Sequence, residues 1–292
     1  MKTLLYATLS ALTLGVASCQ ESRTVKVKVI EENGKPIKDV RVIVTFLGYT
    51  GEQTQRIEGV TDITGGFSAQ GKPPLRMGVR LEKKGYYTTT SGRLSRTKDH
   101  KVSYVLRKIK NPIPLYAKKT RIIAPVLEKN LAYDFMVGDW VIPYGRGKHE
   151  DIFFKVSHNK INRRDYKYQL EVTFPNDLDG IQEFFDNRLS DLKSKHQAPE
   201  KGYKPSWLQK VERKPSVGRT GNRNPNRNYW LRIRSKKNTA GKLISAHYVK
   251  IYGDFPELDY YFNPTVNDRN LEFDPKRNLL KNLDVTETVR QP

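Results

Sequence analysis

Apolar and polar side chains alternate with a period of two along most of this chain, which commits it to strands rather than helices. Over residues 24–30, Val25, Val27 and Val29 fall on one side and Lys26 and Lys28 on the other. Val40, Val42, Val44 and Phe46 repeat the pattern, and residues 77–81 and 102–106 do so again, with turn formers between the runs. No helical stripe interrupts them, which predicts a small antiparallel β-sandwich over residues 20–110. Beyond it, residues 152–156, 166–174 and 260–262 read as strands, and 229–234 and 243–252 as a hairpin around 236–241. Ile181, Phe184, Phe185, Leu189 and Leu192 approach helical spacing, so a helix is expected over 180–195. The expected fold is mainly β: a sandwich, a linker at 111–119 stiffened by Pro112 and Pro114, and a second β-rich domain over 120–280 with one or two short helices. A poorly ordered tail is expected at 281–292.

The first residues set the compartment. Lys2 precedes thirteen uncharged residues, 4–16, a stretch too short to span a bilayer, which ends in Val16-Ala17-Ser18-Cys19. This resembles the bacterial lipobox. The resemblance implies a signal peptide over 1–19, lipidation of Cys19 on sulfur, and a membrane-anchored envelope protein. Gln20, standing where Asp would signal retention, implies the outer membrane. The alternatives are secretion by cleavage near Ala17, or an uncleaved anchor. Cys19 is the only cysteine, so no intrachain disulfide can form even in an oxidising compartment, and stability must come from apolar cores.

The chain carries 53 basic against 31 acidic residues, a formal +22. Outside the cytoplasm the matching polyanions are lipid head groups and acidic or sulfated glycans rather than a specific nucleic acid. Residues 193–237 hold fourteen basic residues against Glu200 and Glu212, a net +12. Residues 215–228 have almost no apolar side chains and many turn formers, which predicts a long mobile loop inside a basic segment, 201–228. The candidate ligand-contacting residues are Lys210, Arg213, Lys214, Arg219, Arg223 and Arg227, with Trp230 beside them. The competing reading is a solvated loop whose charge aids solubility.

In the sandwich, Asn33-Gly34-Lys35-Pro36-Ile37, Gly59-Val60-Thr61-Asp62, Gly65-Gly66-Phe67 and Lys84-Gly85-Tyr86 follow one another between Val-rich runs. Their order resembles the carboxypeptidase regulatory-like domain, a transthyretin-like sandwich related in shape to immunoglobulin domains. That resemblance implies a non-catalytic accessory module. The peptidase itself is not implied: none of His100, His149, His158, His196 or His247 has a Glu three residues later, as a zinc site of that kind needs. Residues 134–142, 251–254 and 261–280 resemble segments of uncharacterised envelope proteins, which implies no activity.

Three constellations are weaker. Asp177-Leu178-Asp179-Gly180 has the look of a calcium loop, but Pro175 stands where the first ligand belongs, so an acidic turn is the simpler reading. Asp268, Glu272 and Asp274 lie together in a polar loop. They suit either turn chemistry or, as a rival, acid–base attack on a glycosidic bond. His247 sits mid-strand, as a half-buried core histidine does, and the late aromatics suit either a core or a sugar-binding face. No cofactor motif occurs. These features together predict a non-catalytic envelope lipoprotein with a binding or structural role, contacting glycans or other polyanions. The alternatives are a polysaccharide hydrolase and a subunit of an envelope assembly.

Overall fold

The computed structural model describes residues 22–48, 53–72, 74–91, 94–95, 98–186 and 190–292. Cys19 and the rest of the lipobox lie outside the described residues. Those described are almost entirely β, as the alternation predicts; a single turn of 3-10 helix, Pro275–Arg277, is their one helical element.

Two small sheets form the first domain. One orders β4 (Gly66–Gly71), β1 (Arg23–Ile30) and β7 (His100–Val105); the other orders β3 (Gln55–Val60), β2 (Arg41–Leu47), β5 (Arg76–Glu82) and β6 (Thr89–Thr90). Val25, Val27 and Val29 of β1 pack against Val42, Val44 and Phe46 of β2 and Val79 and Leu81 of β5, all buried. β7 runs parallel to β1, unlike the other pairs, because the chain between them crosses through the second sheet. The Thr61–Phe67 segment is a turn held by one carboxylate. Asp62 accepts hydrogen bonds from the Thr64 N–H at 2.8 Å and the Gly66 N–H at 2.9 Å. Gly65, at φ +75°, brings its carbonyl to the Val29 N–H at 2.8 Å, and a Cβ on it would lie 2.3 Å from the Val29 oxygen.

The second domain is a larger sandwich. A six-stranded sheet orders β10 (Asp139–Trp140), β9 (Leu131–Asp134), β11 (Ile152–Asn162), β12 (Asp165–Thr173), β14 (Trp207–Lys214) and β15 (Gly218–Gly221). A five-stranded sheet orders β13 (Gly180–Phe185), β16 (Arg227–Lys237), β17 (Leu243–Tyr252), β18 (Glu257–Asn263) and β8 (Tyr116–Arg121). Phe154, Leu170, Val172, Tyr229, Leu231, Val249 and Tyr260 fill the space between them. The outer face of the five-stranded sheet is buried as well: Trp230, Tyr248 and Tyr261 pack there against Ala198, Leu271, Phe273 and Val289.

This second burial corrects three expectations. Residues 180–185 form an edge strand, not a helix: Ile181 points into the inner core and Phe184, three residues on, into the outer one. A strand covered on both faces imitates a helical stripe. The expected linker is woven into the second domain, with Leu115 fully buried and the Ile113 N–H donating to the Glu272 carbonyl at 2.8 Å. The tail packs down as well: Val289 is buried, and the Lys119 N–H donates to the Glu287 carbonyl at 2.7 Å.

The two domains meet at Glu272, which is fully buried. It accepts the Tyr87 hydroxyl of the first domain at 2.7 Å and the N–H groups of Lys110 and Asn111 at 2.8 and 2.7 Å. Arg107 adds an ion pair with Asp186 at 3.2 Å and a bond to the Leu192 carbonyl at 2.6 Å.

Hydrogen bonds from the Gly66 backbone and Thr64 hold the Asp62 carboxyl below its ordinary range. Because its folded pKa is depressed, its contribution to stability is present above about pH 4 and is lost as pH falls through the folded value. Asp62→Ala is therefore expected to lower the denaturant midpoint clearly at pH 7 and little near pH 2, read from urea titrations of both proteins.

Candidate anion-binding cleft

The basic segment folds as a hairpin with a structured return, correcting the expected long loop. β14 turns at residues 215–217 and β15 pairs back along it, Lys214 opposite Gly218 and Val211 opposite Gly221. Where backbone pairing ends, side chains continue it. Asn222 accepts the Lys210 N–H at 2.8 Å and donates to the Leu208 carbonyl at 2.7 Å. Gly221 permits the close approach, since a Cβ there would lie 2.4 Å from the Lys210 oxygen. Polar turn formers satisfy the backbone from their own side chains here, so a polar sequence becomes an ordered one.

The hairpin's return is fixed to the core by Asp254, a buried residue of the β17–β18 turn. Asp254 accepts the Asn224 N–H at 2.7 Å, pairs with Arg227 at 3.3 Å, and takes a short hydrogen bond from the Tyr229 hydroxyl. Burial, and then the Asp254 carboxylate, push the Tyr229 phenol far above its ordinary range. Arg227 also pairs with Glu183 at 2.8 Å and lies over the Trp207 ring, 5.4 Å from its centroid. Arg227 is thus an internal cation with two carboxylates, not a surface contact. Trp230 is likewise removed from the surface: it is buried and stacked on Phe184, ring centroids 4.8 Å apart.

The other candidates remain exposed. Lys214 pairs weakly with Glu212 at 3.3 Å. Arg213 and Arg219 stand directly opposite one another in the β14–β15 register, and no carboxylate among the described residues pairs with either. Arg223 follows, also exposed and without such a partner. Between this hairpin and the β17–β18 turn opens a cleft of about 440 Å³, lined by Val211, Arg219, Gly221, Arg223, Asp254 and Glu257. That volume suits a small-molecule or sugar ligand. Val211 lines it two residues before Arg213, so strand periodicity puts Arg213 on the same side.

The remaining polar constellations are used internally. Asp268 accepts the Asn263 amide at 3.0 Å and the Asn270 N–H at 2.9 Å. Glu272 holds the domain junction. Asp274 caps the 3-10 turn at the Lys276 N–H, 3.0 Å, and pairs with Arg277 at 2.7 Å. Asp179 is buried, accepts the Ser235 N–H at 2.8 Å and the Asn176 amide at 2.7 Å, and burial raises its pKa. Asp177 pairs with Lys237. Among the described residues no group of three His, Cys, Asp or Glu side chains is placed to hold a metal ion. His247 is half-buried in β17, and burial lowers its pKa.

No protein-family model matches this chain, and no curated protein does. Among solved structures, 3-chlorocatechol 1,2-dioxygenase from Rhodococcus opacus is 11% identical over 30% of this chain, with a TM-score of 0.26, and the match spans 60% of the dioxygenase chain. A candidate carbohydrate-binding protein from Bacteroides uniformis is 7% identical over 84% of this chain and 98% of its own, with a TM-score of 0.24. The shaft pilin of Lactobacillus rhamnosus GG is 10% identical over 81% of this chain and 95% of its own, again at 0.24. Likeness at this level assigns no activity.

Removing one member of a buried charge cluster strands the others. Asp254→Ala is expected to cost about 3 kcal/mol or more of unfolding free energy, while Asp254→Asn, which keeps the acceptor for the Asn224 N–H, should cost less. Chemical denaturation of the two variants beside the parent checks the order.

Proposed function

We propose that this chain is a non-catalytic, lipid-anchored envelope protein that binds an anionic glycan in the cleft beside the β14–β15 hairpin. The observation that carries the reading is the facing pair Arg213 and Arg219. Like charges directly opposite across a strand pair are unfavourable, and here no described carboxylate relieves them. Arg227, a few residues on, has two carboxylate partners, so the fold supplies counter-charges where it needs them. A cationic pair left open beside a cleft is what an anionic ligand completes, and guanidinium groups suit carboxylate or sulfate oxygens bidentately. The sandwich, which resembles the regulatory-like domain, would then act as a rigid spacer between the lipid at Cys19 and the binding domain. The Glu272 junction supports such a fixed arrangement.

Two measurements test this. Binding of the full chain to acidic and neutral glycans is followed at low and moderate salt. Acidic glycans should bind saturably and weaken as salt rises, and Arg213→Ala with Arg219→Ala together should weaken binding by about tenfold or more. Arg213→Glu should remove binding and yet raise the unfolding free energy slightly, by about 0.2–1 kcal/mol, because it converts a repulsive cross-strand pair into an attractive one. If acidic glycans bind no better than neutral ones, the proposal fails. For the anchor, a fatty-acid label should enter the wild-type protein in cells and be lost in Cys19→Ala; equal labelling of the two refutes the anchor.

A further inference from the structure

The cleft at the hairpin has a continuation. A second cleft of about 560 Å³ opens along the start of β18, lined by Lys119, Arg121, Lys193, Tyr252 and Asp259. Gly253 and Glu257 line both clefts, so the two adjoin at the β17–β18 turn, a path with Glu257 at its middle. The charges along it are ordered. Arg219 and Arg223 stand at one end. Lys119 and Lys193 stand at the other, with Asp259 4.0 Å from Lys119 and the Lys193 amine over the Tyr252 ring. Asp254, on the floor of the first cleft, is already matched by Arg227 and Tyr229. Glu257 is different. It is well exposed, and its only ion pair among the described residues is with Arg121 at 3.8 Å, where both side chains are 62% exposed. So open a pair holds either partner only weakly. Arg121 is therefore free to turn to a ligand, while the Glu257 carboxylate stays in the groove and rejects any anion laid across it.

Resting on the reading of this groove as a glycan site, the geometry points to a ligand whose charged units alternate with neutral ones. That ligand is a linear acidic polysaccharide with one anionic group per disaccharide. Anionic units occupy the Arg219–Arg223 cleft and the Lys119–Lys193 cleft. The neutral sugar between them presents hydroxyl groups, which donate to Glu257, and Glu257 is the specificity-determining residue. A polymer charged on every unit places a carboxylate against Glu257 and is disfavoured.

The test uses the full chain and two fluorescently labelled series of equal lengths: hyaluronan oligosaccharides, with one carboxylate per disaccharide, and oligogalacturonates, with one on every unit. Anisotropy at fixed salt should show hyaluronan oligosaccharides of four units or more binding about tenfold tighter than the matching oligogalacturonates. Glu257→Gln should close that gap by strengthening oligogalacturonate binding. Lys119→Ala with Lys193→Ala should weaken the longer hyaluronan oligosaccharides while leaving the disaccharide unchanged. If the two series bind equally and Glu257→Gln changes neither, the alternating-ligand inference is overturned while anion binding at the hairpin stands. If affinity does not grow with length and the Lys119/Lys193 variant is silent, the continuous groove is overturned. If neither series binds in a salt-sensitive way, the glycan reading falls with it.

Discussion

The five-stranded sheet of the second domain is buried on both faces, and the rest of the molecule is arranged around that fact. A sheet covered on one side only can leave polar side chains alternating toward water. β16, β17 and β18 cannot: Tyr229, Leu231, Val249 and Tyr260 face one core while Trp230, Tyr248 and Tyr261 face another. The six-stranded sheet covers the first face. No third sheet exists among the described residues to cover the second, so irregular chain does it: the connector before β8, residues 190–206, and everything after β18. Irregular backbone brings polar groups into a buried layer, and each must find a partner. That requirement explains why so many Asn and Asp side chains in residues 263–278 hydrogen-bond to nearby backbone.

The junction between the domains follows from the same layer. Glu272 is drawn inside because Leu271 and Phe273 on either side of it are core residues. A buried carboxylate needs donors, and the sandwich supplies one in Tyr87 while the connector supplies two N–H groups. The phenol of Tyr87 is pushed up by burial and by Glu272 itself, so it stays a donor across the working pH range. Lys250 shows the cost of such packing. Its amine is fully buried, finds no hydrogen-bond partner among the described residues, and lies over the rings of Tyr252 and Tyr261 at 4.8 and 4.4 Å. Burial drives its pKa far down, which favours the uncharged amine.

What could be read in the sequence tracks how many faces of an element are buried. β1, β5 and β12 each have one wet face, and the alternation of Val25, Val27 and Val29 or of Tyr168, Leu170 and Val172 places them correctly. β13 has two buried faces at Ile181 and Phe184, and its apolar spacing therefore imitates a helix. The aromatics of β16 to β18 were ambiguous between a core and a sugar-binding face for the same reason, and they fill two cores. The hairpin at 207–221 failed differently. Its order depends on Asn222 and on the buried Asp254 some thirty residues further along, and a contact so distant leaves no local pattern.

The same limit decides how basic residues are to be read. Fourteen cations in 45 residues gave no means of separating Arg227 from Arg219, since both stand among Gly, Asn and Pro. The structure separates them by counter-charge. Arg227 lies where β13, β16 and the β17–β18 turn converge, so Glu183 and Asp254 reach it from two other elements. Arg219 lies on the edge strand of the six-stranded sheet, where its one neighbouring strand sets Arg213 opposite it, and the other strand beside Arg213 brings Tyr166 rather than an acid. A charge count therefore measures how strongly a segment is drawn to a polyanion in general. On the proposed reading, the places where the fold leaves cations facing each other without a described acid determine where such a ligand would sit. On that reading Glu257, which lines both clefts beside Asp254 and Asp259, would further determine how the ligand's own charges are spaced.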